Sequence, residues 1–432
     1  MKENQKLIVF SEKRSNRLRY VLEEYFAKHL NVEIELTQNV DDFLSAQGMK
    51  INYSTIPVEN SMHIIPCSLL FQKRISAIEL NIEVKDETPL LFANDKCPTG
   101  HDTFAACFYF LSLYQEYLPH RSDQHGRFTS KESLQSRLNV LDKAIVDLYA
   151  KRFAQCLSEV YPQYNYRLNK PENLVTIDID QLFAYKAKGM ARTALSFIRD
   201  FILKQEQFKK RLDVVMFQKK DPLDCYDEII ELCSKGNADP VFFLQVGETS
   251  RYDHNNPVHL PSVKQRINEL ALSASIGLHP SYFSSEDVAV LTKELERLQE
   301  VTSSAVNLSR QHYLRWRLPN TLGKLAELGI TDEYSLAFAD VNGFRAGTAR
   351  GFRFFDLERD EPIDINVHPT HFSDIVAIRN NSDVAAATEE MQRIKTECDE
   401  YGGAFCTMWH PEALSGLNAP YPTLKMLKSL VL

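Results

Sequence analysis

The chain has 432 residues, of which 44% are hydrophobic and 25% charged, and its formal net charge is -8 at pH 7. This composition is ordinary for a globular protein and excludes the collagen-like and disordered classes. The acidic balance, without a long basic stripe, argues against nonspecific binding of nucleic acid. A chain of this length is expected to form two domains.

The start of the chain and its cysteines bear on the cellular setting. The apolar run Leu7–Phe10 is too short for a signal peptide, and no stretch approaches the length of a membrane span. The eight cysteines contain no C-x-x-C pair, which excludes a zinc ribbon and a dithiol redox motif. We therefore expect a cytoplasmic protein with reduced thiols and no membrane span, and the sequence leaves its oligomeric state open.

Residues 1–168 are predicted to form a smaller mixed α/β domain, whose role the sequence leaves open. Strands are predicted near 8–10, 32–36 and 90–92, and helices near 17–29, 102–117 and 141–160. The polar segment 120–130 contains Asp123, His125 and Arg127. A metal site is conceivable there, but the composition favours a solvated loop. Lys170 and Pro171 mark the boundary with a second domain, residues 169–432.

The second domain alternates between short β-rich runs and amphipathic helices. Strands are predicted near 174–180, 212–217, 241–246, 275–279, 304–308, 335–339, 363–367 and 404–409. Helices are predicted near 183–205, 222–235, 261–273, 286–300, 320–328 and 384–401. This alternation predicts a parallel sheet, and the number of repeats suits a deformed (β/α) barrel.

Polar side chains follow the predicted strands at the end where barrel enzymes carry out their chemistry. They are Asp178 and Asp180 at the first strand, then His279, then Arg310 and His312, then Asp340 and Arg345, and finally His410. A single histidine at a strand end would indicate little. Five such strand ends in one barrel predict an active site.

The first of these strands, Val175–Asp180, places two carboxylates on one face. Side chains alternate along a strand, so Asp178 and Asp180 point the same way as Thr176. Buried carboxylates are costly unless a metal, another cation or hydrogen bonds compensate them, so a metal site is one interpretation. The alternative is that Asp180 caps the following helix while Asp178 pairs with a lysine.

Carboxylate and imidazole ligands suit a divalent transition metal such as Zn²⁺ that keeps a water in an open position. A metal of this kind lowers the pKa of the water and polarises a carbonyl group, which is the chemistry of metal-assisted ester or amide hydrolysis. The chain contains no glycine-rich phosphate loop and no G-x-S-x-G motif. Nucleotide hydrolysis and serine esterase chemistry therefore lack their motifs.

Four segments, taken in order, resemble the motifs of the polysaccharide deacetylase superfamily, the nodulation-factor deacetylase-like carbohydrate esterases. They are Thr176-Ile177-Asp178-Ile179-Asp180, Leu278-His279-Pro280-Ser281-Tyr282, Arg310-Gln311-His312-Tyr313 and Trp409-His410. Gly343-Phe344-Arg345-Ala346-Gly347-Thr348 and the aromatic segment 108–118 are similar to a bacterial subgroup with an extra N-terminal α/β domain. The resemblance implies a distorted barrel that removes acetyl groups from N-acetyl sugars. It also implies a divalent metal, Zn²⁺ first, with Co²⁺, Mn²⁺ and Ni²⁺ as alternatives.

The resemblance also implies a role for each matching residue. Asp180 and His279 would bind the metal and Asp178 would be the catalytic base, although the two aspartates could exchange roles. Arg310 would pair with Asp178, and His410 would be the general acid. The residues expected to contact or enclose the saccharide are Tyr282, Tyr313, Arg345 and Trp409, with Asp340 as a further supporting residue and the peptide N–H of Tyr313 facing the oxyanion.

Two departures from the family pattern bear on function. Ile179 separates two aspartates that are usually adjacent, and Phe283 stands where a second metal-binding histidine would be. His312 could supply the missing ligand, with His254 and His259 as weaker substitutes. Three functions therefore stay open: a metal-dependent carbohydrate deacetylase, a noncatalytic barrel that binds a glycan or partner, and a metal-dependent hydrolase of another C–N bond.

Overall fold

The computed structural model describes residues 5–417 and 419–432. Within them the chain forms a four-stranded sheet, a two-stranded hairpin and a curled nine-stranded sheet. The first two contain β1 (Gln5–Phe10), β2 (Val32–Thr37), β3 (Met49–Tyr53), β4 (Met62–Ile64), β5 (Glu83–Lys85) and β6 (Thr88–Leu90). The third contains β7 (Glu172–Ile179), β8 (Val241–Leu244), β9 (Ser275–Leu278), β10 (Leu308–Ser309), β11 (Asp332–Leu336), β12 (Phe352–Asp356), β13 (Glu361–Pro369), β14 (Phe372–Ser373) and β15 (Ala404–Trp409).

Sixteen α-helices are found in the same residues. Those that precede β7 are α1 (Asn16–Tyr20), α2 (Ala27–Leu30), α3 (Val40–Ser45), α4 (Thr103–Leu111), α5 (Leu134–Arg137) and α6 (Ile145–Val160). Those that follow are α7 (Met190–Leu203), α8 (Gln205–Val215), α9 (Tyr226–Lys235), α10 (Pro261–Ser273), α11 (Val288–Thr302), α12 (Asn320–Glu327), α13 (Asp374–Asn380), α14 (Val384–Glu400), α15 (Pro411–Leu414) and α16 (Leu424–Val431). None of these helices is long and apolar enough to cross a bilayer.

The N-terminal half packs a parallel sheet, in the order β2-β1-β3-β4, around an aromatic helix. Every residue of α4 is buried, and the carboxylate of Asp102 caps the helix by accepting a hydrogen bond from the N–H of Ala105. The predicted helix near 102–117 is shorter in the structure because Leu113 adopts a left-handed conformation, with φ 52°, that ends it. A short 3₁₀ turn, Tyr114–Tyr117, follows.

The C-terminal half is the predicted deformed barrel. Its strands have the order β12-β13-β11-β10-β9-β8-β7-β15-β14, and all neighbouring pairs are parallel except β12 with β13. The short connection from β13 to β14 reaches both sides of the curled sheet. The N–H of Thr370 donates to the carbonyl of Leu336 in β11, and the N–H of His371 donates to that of Cys406 in β15. The carboxyl ends of the parallel strands are thereby gathered at one end of the barrel.

Two predicted elements after β7 are wrong. Residues 212–217, predicted as a strand, lie mainly in α8, because buried Arg211 pairs with Asp200 of α7 at 2.7 Å and joins the two as a helical hairpin. The predicted helix near 183–205 begins only at Met190. Its first residues stay irregular because the carboxylate of Asp221 accepts hydrogen bonds from the N–H groups of residues 184–186.

The two halves share one apolar core. Phe108 of α4 packs edge to face against Phe355 of β12, with ring centroids 5.1 Å apart. The predicted boundary between residues 168 and 169 lies between α6 and β7 and stays a prediction. All eight cysteines are free thiols.

Candidate metal centre

The strand ends of the barrel surround a cavity of about 430 Å³. Asp178 and Asp180 enter it from β7, His279 follows β9, and His312 follows β10. His410 follows β15 on the opposite side of β7, since β7 pairs with both β8 and β15. Parallel strands therefore bring together residues that are far apart in the sequence.

Three candidate ligands converge in this cavity. One ligand atom each from Asp180, His279 and His312 lie within 4.8 Å of one another. The Nε2 atom of His279 is 3.0 Å from Oδ1 of Asp180, and the Nε2 atom of His312 is 3.5 Å from its Oδ2. One carboxylate and two imidazoles are a donor set that Zn²⁺ accepts, and three protein ligands leave a position open.

Outer contacts aim both imidazoles at Asp180. Nδ1 of His279 lies 2.6 Å from the carbonyl oxygen of Arg310, which can only accept, so Nδ1 carries a proton and Nε2 faces Asp180. Nδ1 of His312 lies 2.9 Å from the carboxylate of Asp253. The Asp253 carboxylate is held in turn by the side-chain amide of Gln245 and the N–H of Tyr282. Such outer partners are typical of metal-binding histidines.

The charges around Asp180 favour a cation. Its Oδ1 atom is buried and accepts no well-aligned hydrogen bond among the described residues, although Nε2 of His279 lies 3.0 Å away. Burial opposes ionisation of Asp180, but His312 and His279 outweigh it and hold the pKa of this carboxyl well below its usual range. An ionised carboxylate that is 33% exposed, with one oxygen buried beside an imidazole nitrogen, fits a divalent metal.

Asp178 lies beside the candidate metal ligands in a buried ion pair. Nη1 of the fully buried Arg310 is 2.9 Å from Oδ1 of Asp178, and the same guanidinium donates to the carbonyl of Tyr334 and to Oγ1 of Thr370. Burial alone would lower the pKa of Arg310, but the charge of Asp178 raises it, so the arginine stays charged. The pair holds Asp178 in one orientation.

His410 faces Asp178 across the cavity and is held by a second carboxylate. Its Nδ1 atom is 2.7 Å from Oδ1 of Asp374, and its backbone N–H donates to Oδ2 of the same residue. Its Nε2 atom is 4.0 Å from Oδ2 of Asp178. Burial opposes protonation, but Asp374, Asp178 and Asp180 raise the pKa of His410 to about 10. His410 is therefore a proton donor at neutral pH.

Three stacked or edge-packed tyrosines form one side of the cavity mouth. Tyr252 and Tyr282 stack with centroids 3.9 Å apart, and Tyr313 packs edge-on against both. Tyr252 and Tyr313 line the cavity, whereas Tyr282 lies behind them and its hydroxyl is 3.1 Å from Nδ1 of His125. The predicted position of the Tyr313 N–H toward an oxyanion stays a prediction.

The segment 120–130, which the sequence favours as a solvated loop, packs instead against the cavity mouth. Arg127 lines the cavity, pairs with Asp123 at 2.7 Å and donates to the carbonyl of Tyr313. The N-terminal half thus contributes to the wall of the candidate site. Asp340, expected to support the site, accepts hydrogen bonds from Ser130 and so ties this segment to the barrel.

Besides Tyr282, two more residues predicted to contact or enclose the substrate do not line the cavity. The guanidinium of Arg345 is buried against the carboxylate of Glu116, with contacts of 2.6 and 2.8 Å, and does not line the cavity. Trp409 is fully buried, and its indole N–H donates to Oγ1 of Thr407. Neither side chain is available to a ligand in the cavity. Of the weaker substitute ligands, His254 lines this cavity and His259 lines a different one.

The sequence did not reveal three polar residues of the site: Asp253, Asp374 and Glu412. Glu412 lines the cavity, and burial together with the charge of Asp180 raises its pKa to about 7. A signal existed only for Glu412, which comes two residues after His410 in His410-Pro411-Glu412. Asp253 and Asp374 become visible only through their contacts with His312 and His410.

Comparison with known proteins gives distant similarities. A family of unknown function, DUF7033, matches residues 7–162, which end before the barrel begins. No curated protein matches the chain.

Three solved structures illustrate the similarity of the fold. One is a Mycobacterium smegmatis protein provisionally described as a polysaccharide deacetylase (14% identity, 61% of this chain, 84% of that chain, TM-score 0.40). Another is Puue allantoinase (10% identity, 60% and 83% of the two chains, TM-score 0.38). A third is a CE4 family pseudoenzyme from Bacillus anthracis (12% identity, 61% of this chain, 63% of that chain, TM-score 0.28). Because similarities of this size do not extend to function, the proposals below rest on the residues of this chain.

Proposed function

We propose that this protein is a metal-dependent hydrolase that removes the acetyl group from an N-acetylated amino sugar. The observation that carries the proposal is the convergence of Asp180, His279 and His312, with the buried Oδ1 of Asp180 among them. Asp178 and His410 flank this group and supply a base and an acid. Membership of a deacetylase subgroup with an N-terminal α/β domain is part of this proposal.

Asp180, His279 and His312 would hold the metal, with Zn²⁺ as the first candidate and Co²⁺, Mn²⁺ or Ni²⁺ as alternatives. When bound, such a metal activates water and polarises the acetyl carbonyl. Asp178 takes a proton from the attacking water, and Arg310 holds this carboxylate in place. Protonated His410, held by Asp374, gives its proton to the departing amine nitrogen. The sugar ring would lie against Tyr252 and Tyr313.

The test is acetate release from N-acetylated saccharides by the purified protein after chelation and reloading with Zn²⁺, Co²⁺, Mn²⁺ or Ni²⁺. Asp178→Asn should lower kcat by about 10²–10⁴-fold while metal content is unchanged. Asp180→Asn should lose the metal. His259→Ala replaces a histidine that lines a different cavity and is the matched control. It should retain both the metal and the rate of acetate release.

Two other functions are outcomes of the same experiment. Saccharide binding without acetate release, at full metal occupancy, would favour a noncatalytic barrel. Hydrolysis of cyclic amides but not of N-acetyl sugars would favour a hydrolase of another C–N bond. Phe283, in place of a second metal-binding histidine, would favour a noncatalytic barrel. The nearness of His312 to Asp180 and His279 supports a third ligand instead.

A further inference from the structure

The α7–α8 hairpin carries an uncovered apolar surface. Seven large apolar side chains on it, or directly after it, are more than half exposed: Leu195 (67%), Ile198 (59%), Phe201 (65%), Ile202 (69%), Leu203 (71%), Met216 (64%) and Phe217 (66%). Monomeric proteins rarely expose apolar side chains in such a cluster unless the surface contacts a partner or a membrane.

Three of the exposed side chains on α7 form one outer face. Leu195, Ile198 and Ile202 follow one another at intervals of three and four residues, which places them on the same side of the helix. The opposite side is used to hold the hairpin together. There Phe197 packs against Phe208 of α8, with centroids 5.9 Å apart, and buried Asp200 pairs with Arg211.

The same hairpin is strongly basic in an acidic protein. Residues 188–220 contain nine Lys and Arg against three Asp and Glu, a net charge of +6 in a chain whose net charge is -8. Lys204, Lys209 and Lys210 are exposed. Two copies meeting through this face would bring like charges together, whereas an anionic lipid surface complements both its charge and its apolar side chains.

A basic cavity of about 390 Å³ adjoins this hairpin. Lys188, Arg192, Arg199 and Arg211 line it, and it shares Gln181 and His254 with the catalytic cavity. Arg211 is buried, and its Nη1 atom has no hydrogen-bond partner among the described residues. Burial and the charges of the neighbouring arginines lower the pKa of Lys188 to about 8. A phosphate group would accept a hydrogen bond from Nη1 of Arg211 and would stabilise the charged form of Lys188.

We propose that the α7–α8 hairpin docks this protein on an anionic lipid surface, with its apolar face among the headgroups and the basic cavity against lipid phosphate. Docking in this way places the catalytic cavity beside the bilayer. If the proposed deacetylase function holds, an amino sugar carried on a phosphate-bearing lipid would be within reach of this cavity. The docking itself does not depend on that function.

The apolar part of the proposal is tested by cosedimentation of the purified full chain with vesicles, without substrate. We expect binding to vesicles of phosphatidylglycerol and phosphatidylcholine and little binding to phosphatidylcholine alone. Ile198→Glu with Phe201→Glu should weaken binding by about tenfold or more, since both lose their place among the headgroups. Leu272→Glu, at an 88% exposed leucine of α10, is the matched control and should bind as the unchanged protein does.

The charge part has its own pair of variants. Lys209→Glu with Lys210→Glu should weaken binding by about tenfold or more, and added salt should weaken binding of the unchanged protein. Lys73→Glu with Arg74→Glu alters an exposed basic pair elsewhere and should have no effect. Circular dichroism melting curves establish that each variant is folded.

Several results would overturn the proposal. They are no binding to the anionic vesicles, equal binding to neutral ones, or binding that the hairpin variants leave unchanged. Sedimentation equilibrium that finds a dimer, which Ile198→Glu with Phe201→Glu converts to a monomer, would assign the face to a second copy instead. Because vesicle binding and acetate release are measured separately, failure of one leaves the other to be judged on its own.

Discussion

Asp253 bears on the metal affinity without touching the metal position itself. It orients His312 through a contact of 2.9 Å to Nδ1. We predict that Asp253→Asn lowers Zn²⁺ affinity by roughly 10–100-fold, as substitutions of outer partners do. Competition with a chromophoric chelator measures this change. Asp332→Asn removes the carboxylate from another Asp–His pair, 2.7 Å from Nε2 of His368, and should leave the affinity unchanged. Equal losses in both variants would contradict the role of Asp253.

His410 sets the alkaline limit of the proposed reaction, because it must be protonated to donate. Its pKa of about 10 predicts that acetate release declines as pH rises through that value. Asp374→Asn removes a charge that raises this pKa, so the declining limb should move by about 1–3 pH units toward neutrality. Asp374→Glu keeps the negative charge, so the pH at which acetate release declines should change little. A pH profile of kcat checks this, and an unmoved limb in Asp374→Asn would contradict the assignment.

At the residue scale, sequence reasoning is strongest where strand alternation or position at a strand end restricts the choices. His312 was expected as a substitute ligand because it follows the strand after His279, and the structure brings the two rings together, with centroids 5.1 Å apart. Asp374 follows a strand of only two residues, and Asp253 lies in a loop, so no periodicity marks either. Arg345 followed a predicted strand but turns away to buried Glu116.

At the scale of elements, β9 depends on a residue without a side chain. A Cβ atom at Gly277 would lie 2.5 Å from the ring of Phe243 and 3.0 Å from the carbonyl oxygen of Leu308. Gly277→Ala should therefore destabilise the protein by about 1–3 kcal/mol in urea unfolding. A Cβ atom added at Gly323 in α12 would meet no described atom within 4 Å outside its own helical turn. Gly323→Ala should therefore be neutral or stabilising by about 0.5–1 kcal/mol. The opposite order of the two variants would contradict this account of the strand.

The elements that sequence predicted best are those whose own pattern decides their structure. Helix α10 has the bounds predicted for it, and Pro261 occupies its first turn, where proline is favoured. The error at 212–217 arose because Leu212, Val214 and Met216 alternate as in a strand. A tertiary contact, the ion pair of Arg211 with Asp200, decides in favour of a helix there. Strand β12 was not predicted, because it pairs antiparallel with β13 and so does not fit the alternation expected of parallel strands.

At the scale of the whole molecule, the two halves are joined by the buried ion pair between Glu116 and Arg345. Glu116→Ala leaves the Arg345 charge buried without its partner, so we expect destabilisation of about 3–5 kcal/mol. Glu400→Ala, which removes the more exposed pair with Lys151, should cost about 0–1 kcal/mol. Urea unfolding of both variants measures the difference. A small effect of Glu116→Ala would mean that the halves do not depend on this contact.

The overall architecture was predictable because the alternation of strands and helices extends over the whole second half of the chain. The way the N-terminal half contributes to the cavity was not. Arg127 reaches the mouth through its contact with the carbonyl of Tyr313, which is 186 residues away. No local pattern encodes a contact over that separation, and it forms only when the two halves pack.

The pairing of β7 with β15 also has a consequence for how the protein folds. Thr176 and Thr407, joined by a hydrogen bond, are 231 residues apart, and β7 contains Asp178 and leads directly into Asp180. Closing so long a loop is slow, because its entropy must be lost before the contact is made. We therefore expect Asp178 and Asp180 to reach their final surroundings late in folding, after the last strand has docked. Refolding should recover helical circular dichroism before it recovers the capacity to bind a metal.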